Sequence, residues 1–176
     1  MPKAPESHTY TTRRAGAPDA PALACIYNQG IADRNATFET RPRSADEMLS
    51  MIDTPEFPCV VACHDDTVIA FASTSRYRTR ECYAGIAEFS VYVDRDWRRR
   101  NAGYIVMQAL LTAAQAQGFW KVLSRVFVTN HPSRRLMAKL GFREVGIYHA
   151  HAQLDGTWRD VVIVERWITD IPPSSH

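Results

Sequence analysis

Apolar and polar positions recur along the chain with two periods, and their alternation predicts a mixed α/β protein. Residues 8–14 carry the Thr-rich alternation of a strand, and Pro18 and Pro21 open a helix on which Leu23, Ile26, Tyr27 and Ile31 share a face. Residues 34–39 have no period and read as a loop, a candidate substrate wall. Ser44 and Glu47 form a capping box ahead of Met48, Leu49 and Ile52. Apolar runs at 59–63 and 67–74, joined across His64-Asp65-Asp66, predict a hairpin that continues the sheet. Residues 86–93 follow as a strand, and residues 103–117 as a helix with Ile105, Val106, Ala109, Leu110 and Ala113 on one face and Gly118 as its stop. A strand at 121–128 and a helix ending in Leu140-Gly141-Phe142 come next. Residues 148–154 and 158–168, joined at Asp155-Gly156, predict a second hairpin. The fold class is therefore α/β in the α+β sense: a mixed, largely antiparallel twisted sheet of six to seven strands with helices on both faces. One domain is expected over residues 8–170, with 1–7 and 171–176 as flexible ends.

Composition narrows this picture. With 176 residues and 45% hydrophobic content, the chain can bury one core, and a second domain is not expected. A net charge of +2 gives no global case for nucleic acid. No signal peptide or membrane span is visible, so the expected location is the cytoplasm. Cys59 and Cys63 sit four apart on a strand, about 13 Å, too far for a disulfide, and read as reduced buried thiols. His149 and His151 share a strand face without a third ligand, and no metal is expected.

The basic signal is local, and it falls at a strand-to-helix junction. The strand bearing Glu88 runs through Val91, Tyr92 and Val93 into Arg95, Arg98, Arg99, Arg100, Asn101, Ala102, Gly103 and Tyr104. Unpaired N–H groups at a helix start carry the positive end of the helix dipole and suit a phosphate. Asn101 and Gly103 tolerate the positive φ that a loop wrapped around a pyrophosphate requires. Neither a Walker loop nor a three-glycine dinucleotide fingerprint is present.

Arg98-Arg99-Arg100-Asn101-Ala102-Gly103 resembles motif A of the GNAT superfamily of N-acetyltransferases, with Asn101 where Gly is usual. Asn130-His131-Pro132-Ser133, leading to Leu140-Gly141-Phe142, resembles its motif B. Ile26 to Gln29, Ala36 to Thr40, Arg78-Thr79-Arg80, Glu88 to Val93 and Gly156 to Asp160 are similar to the phosphinothricin acetyltransferase branch. Ala84 to Ser90 and Trp158 to Arg166 look most like arsinothricin N-acetyltransferases. The resemblance runs from about Tyr10 to Trp167.

This resemblance implies acetyl-CoA as co-substrate, held by Val91 to Val93, Arg98 to Tyr104, Asn130 and Ser133. It implies Glu88 as general base through a water, and a backbone amide near Val91 or Tyr92 for the oxyanion. Met137 stands where relatives carry a tyrosine or histidine that protonates the thiolate, so no acid is assigned; Tyr104 is a weak substitute. Arg76, Arg78 and Arg80, at alternate positions of an extended segment, point to one side and suit an anionic substrate. Phe38 and Tyr83 are candidate walls. The expected reaction is acetylation of the α-amine of a glutamate-like toxic amino acid, such as phosphinothricin, arsinothricin or methionine sulfoximine, giving resistance. Alternatives are a peptide or protein N-terminal acetyltransferase, a non-catalytic CoA sensor, which Glu88 disfavours, and an RNA-binding module, disfavoured because no aromatic platform accompanies the arginines. The branch also implies a homodimer, with the final hairpin near the partner.

Overall fold

The structure, a computed structural model, describes residues 9–170. The flexible ends expected at 1–7 and 171–176 lie outside these residues, as does His8. Seven strands form one sheet in the order β1-β2-β3-β4-β5-β7-β6. They are β1 (Tyr10–Arg14), β2 (Cys59–His64), β3 (Thr67–Arg76), β4 (Ile86–Val93), β5 (Lys121–Phe127), β6 (Arg143–Leu154) and β7 (Thr157–Trp167). The helices are α1 (Ala20–Ala32), α2 (Ala45–Ile52), α3 (Ala102–Ala116) and α4 (His131–Lys139).

Every neighbouring pair is antiparallel except β4 and β5. A parallel pair needs a crossover, and α3 supplies it. The strands' two-residue period sorts the helices onto opposite faces. Val61 and Phe71 pack with Leu23, Ile26, Met48 and Ile52 of α1 and α2. Val60, Ala62, Ala70 and Ala72 face Val106, Met107 and Leu110 of α3, with Met137 of α4 in the same cluster. No helix among the described residues is long and apolar enough to cross a membrane.

Most punctuation falls where the residue types demand it. Ser44 Oγ accepts from the Glu47 amide at 3.2 Å, and Glu47 Oε2 accepts from the Ser44 amide at 2.8 Å, closing the capping box. Gly141, at φ +79°, lets the amide of Phe142 reach back to the Met137 carbonyl at 3.0 Å and stop α4. Asp155 and Gly156 both have positive φ, as a tight hairpin turn requires.

Three expectations are corrected. Strand β6 begins at Arg143, not Tyr148, because it is an exposed edge strand and so lacks the alternation that marks a half-buried one. The buried face of α3 centres on Val106, Met107, Leu110 and Ala114; Ile105 lies outside the core cluster. Strand β3 ends at Arg76 and the chain then bends through 77–80, so Arg76, Arg78 and Arg80 do not share one side of an extended segment.

Candidate active site

The site begins where two parallel strands part. Pairing between β4 and β5 stops at Glu88↔Leu123, although β4 continues to Val93 and β5 to Phe127. Beyond that point β4 stays paired with β3 on its other side. Alternate N–H and C=O groups of residues 89–93 therefore face the opening with no strand to receive them.

A cleft of about 580 Å³ occupies this fork. Val91, Tyr92, Val93, Arg98, Arg99, Asn101, Gly103, Tyr104, Asn130 and Ser133 all line it. Arg100 and Ala102 do not. Arg100 lies over the Trp97 ring at 5.4 Å, and Ala102 is buried in the core, packed as the first residue of α3. The loop bends at Arg99 (φ +61°) and Asn101 (φ +70°), so Asn101 does adopt the left-handed conformation expected of it. The second such position is Arg99 rather than Gly103. Gly103 is helical, and its lack of a side chain serves close packing: a Cβ there would stand 3.2 Å from both Leu136 Cδ2 and Val93 Cγ2.

The turn before this loop is tied to α1. Asp33 pairs with Arg95 at 2.8 Å and Arg98 at 2.6 Å. Burial would raise the Asp33 pKa, but the two guanidinium groups outweigh it and hold the carboxyl below its ordinary range. Gln29 accepts from the Arg95 amide at 2.8 Å and donates to Asp94 at 2.9 Å. Two further cations join the cleft from α4, Arg135 and Lys139. The Lys139 ammonium sits 4.3 Å from the centre of the Tyr104 ring and donates to Asn101 Oδ1 at 3.3 Å. Helix spacing could have found it, because Lys139 follows Arg135 by four residues on the helix that Asn130 caps.

A second cleft, about 810 Å³, opens on the other side of the fork. Glu88, Phe38, Glu39, Arg41, Ser75 and His151 are among its lining residues. The two clefts share Ser90, Tyr92, Ser124, Arg125 and Phe127, so they meet. Phe38 packs edge-on against Phe127 at 4.7 Å and forms a wall. The loop carrying it is held at both ends: Asn130 caps α4, accepting from the Ser133 amide at 3.2 Å, and donates to the Asn35 carbonyl at 2.9 Å. Asn28 brackets the backbone of Arg43 at 2.8 and 3.0 Å. Tyr92 lies against Tyr27, ring centres 4.7 Å apart, and burial pushes its phenol far above the ordinary value. Gly30 makes room, since a Cβ would come within 2.9 Å of that ring.

Glu88 is ion-paired with Arg125 of β5. Sequence reading did not single out Arg125, although Ser124-Arg125 breaks an apolar strand and is a visible signal. Arg78, Arg80 and Tyr83 line neither cleft. Arg78 stacks over Tyr77 at 5.2 Å, Tyr83 packs on the same ring at 5.7 Å, and Arg80 is exposed just before the short turn Glu81–Tyr83. Met137 is 1% exposed in the core and cannot reach a thiolate. His149 is bonded to Asp160 at 3.0 Å, and no group of three metal-ligating side chains occurs among the described residues.

Residues 27–142 match the model of the Acetyltransferase (GNAT) family. The phosphinothricin N-acetyltransferase of Streptomyces viridochromogenes is 29% identical over 92% of this chain and 90% of its own. The L-methionine sulfoximine/L-methionine sulfone acetyltransferase of Pseudomonas aeruginosa is 30% identical over 87% and 91%. The crystal structure of a GNAT superfamily phosphinothricin acetyltransferase from Sinorhizobium meliloti in complex with AcCoA superposes with a TM-score of 0.84 at 27% identity, covering 94% of this chain and 95% of that one. A forked sheet with a cationic loop at one mouth and a carboxylate at the other is what acetyl transfer needs, and the chain belongs to the acetyltransferase (GNAT) family as an acetyl-CoA-dependent N-acetyltransferase.

Proposed function

We propose that this enzyme acetylates the α-amine of a glutamate-like toxic amino acid, phosphinothricin, methionine sulfoximine or arsinothricin, and so confers resistance to it. The observation that carries the reading is the meeting of the two clefts at Ser90, Ser124 and Arg125, with Glu88 lining the acceptor side. Acetyl-CoA supplies an activated thioester. Arg99, Asn101, Lys139 and the free amides at the start of α3 fit its pyrophosphate, and the unpaired edge of β4 fits its pantetheine arm. Glu88, directly or through a water, accepts the proton that makes the amine nucleophilic. Free N–H groups within residues 89–93 stabilise the negative charge that develops on the thioester oxygen, and preorganised donors of this kind are worth about 3 kcal/mol each. The thiolate leaves without a dedicated acid side chain.

Arg78 and Arg80 follow β3 closely, just beyond Ser75, the partner of Glu88 in the sheet. They are proposed to meet the acceptor's distal acid group, with Tyr83 bracing that turn. Arg80→Ala should then raise the KM of an anionic amino acid far more than that of acetyl-CoA. One unbroken sheet from Tyr10 to Trp167 supports a single catalytic domain over 8–170. The outer hairpin exposes Val145, Ile147, Tyr148 and Trp158, which supports a homodimer formed through β6 and β7. Four unpaired cysteines suit a cytoplasmic enzyme. Thiol release from acetyl-CoA, measured against a panel of glutamate analogues, tests the function: amine-dependent release is expected, and release with none of them would overturn it.

A further inference from the structure

We infer that Arg125 is the residue that selects a free α-amino acid, by trading its partner Glu88 for the acceptor's α-carboxylate. The inference rests on the function proposed above and names how the acceptor is chosen. Leu123 is the sheet partner of Glu88, and Arg125 lies two residues beyond it, so the side chains of Glu88 and Arg125 leave the same face of the sheet. Both line the acceptor cleft, and Arg125 also lines the cofactor cleft. Among the described residues each has the other as its bonded partner, through a single guanidinium nitrogen. The other cation of this cleft, Arg41, is held from both nitrogens by Glu47 at 2.6 and 3.3 Å.

A guanidinium offers five N–H groups and binds carboxylates best with two in parallel. One contact to Glu88 therefore leaves most of Arg125 unspent. A zwitterion fits this pair because it carries both complements: its ammonium replaces Arg125 at Glu88, and its carboxylate replaces Glu88 at Arg125. No charge is left alone at any point. An amine without a carboxylate would take Glu88 from the guanidinium and offer nothing in return, so it forgoes the charge-assisted pair that the α-carboxylate makes with Arg125. The same exchange places the amine on the carboxylate that must deprotonate it, at the point where the two clefts join. Arg125 thereby acts as a specificity residue that also frees the base.

L-Methionine sulfoximine and its α-carboxamide test this, because the α-carboxylate is the acid's sole anionic group. The wild type should favour the acid over the amide in kcat/KM by roughly 30- to 100-fold, mostly in KM, the size of one lost charge-assisted pair. Arg125→Gln should lose about that factor for the acid and little for the amide, removing the preference, while Arg125→Lys restores part of it. Circular dichroism melting of both variants checks the fold. Equal losses for acid and amide in Arg125→Gln, or no preference in the wild type, would overturn the role of Arg125 and leave the proposed function standing. Acetylation of neither compound by the wild type, with phosphinothricin and arsinothricin likewise left unmodified, would overturn both.

Discussion

Replacing Glu88 by Gln separates chemistry from architecture. Gln keeps the shape and one acceptor oxygen but cannot take a proton at neutral pH. A positioned general base contributes about 10²- to 10⁴-fold, or roughly 3–5 kcal/mol of barrier at 1.36 kcal/mol per decade. The structural cost is much smaller. The side chain of Glu88 is 24% exposed and that of its partner Arg125 39% exposed, so the guanidinium left behind remains hydrated. Pairs this exposed are worth about 1 kcal/mol or less, so Tm should move by only about 2–4 °C. Steady-state thiol release and thermal melting, run on the same preparation, give both readings. The expected outcome is kcat lowered at least 100-fold with acetyl-CoA binding retained. Near-normal turnover at neutral pH would refute the base, and a collapse in Tm would mean that the pair chiefly holds β4 to β5.

Lys139→Ala removes a cation above Tyr104 and beside Asn101, so calorimetry should find acetyl-CoA bound several-fold more weakly, about 1 kcal/mol, with less salt dependence. Asn101→Gly should bind acetyl-CoA at least as well as the wild type, because glycine holds φ +70° without strain. Asn101→Val should bind less well, since left-handed backbone costs other residues about 1–2 kcal/mol. Asp19, Asp33 and Glu165 all have carboxyl pKa values held below the ordinary range: Asp19 by its hydrogen bonds from Arg13 first, the other two by ion pairs that outweigh burial. Depressed folded-state values add stability above the unfolded pKa and lose it as protons bind. Urea midpoints should therefore stay level from pH 7 to about 5 and fall below about pH 4; a flat profile to pH 3 would contradict these assignments.

The parts of the site written in contiguous residues were legible in the sequence. The strand into the basic turn, the left-handed Asn101 and the capped start of α4 depend on local backbone preferences, and each falls where its residues predict. Parts made by distant segments were not. Arg125 meets Glu88 only because β4 and β5 become neighbours through α3, and Gln29 and Asp33 reach the basic turn from the end of α1. Gly103 misled for a related reason: its type fits a turn, yet its role is the close approach of α3 to Leu136 and Val93. Arg78 and Arg80 were placed by extending a strand past its end, and the bend after Arg76 breaks that alternation. Likewise β6 carries a bulge at Ala150, φ +47°, fastened by Asp160, which hides its period.

The most direct measurement is the product itself. The purified enzyme is incubated with acetyl-CoA and, separately, phosphinothricin, methionine sulfoximine and arsinothricin, and the acceptor is recovered for mass spectrometry and NMR. The expected result is the gain of one acetyl group on the α-nitrogen of at least one of them, with stoichiometric free CoA. Acetyl-CoA bound in the fork with every acceptor recovered unmodified, or acetyl found on another atom, would contradict the meeting of the two clefts as the place where an α-amine is acetylated.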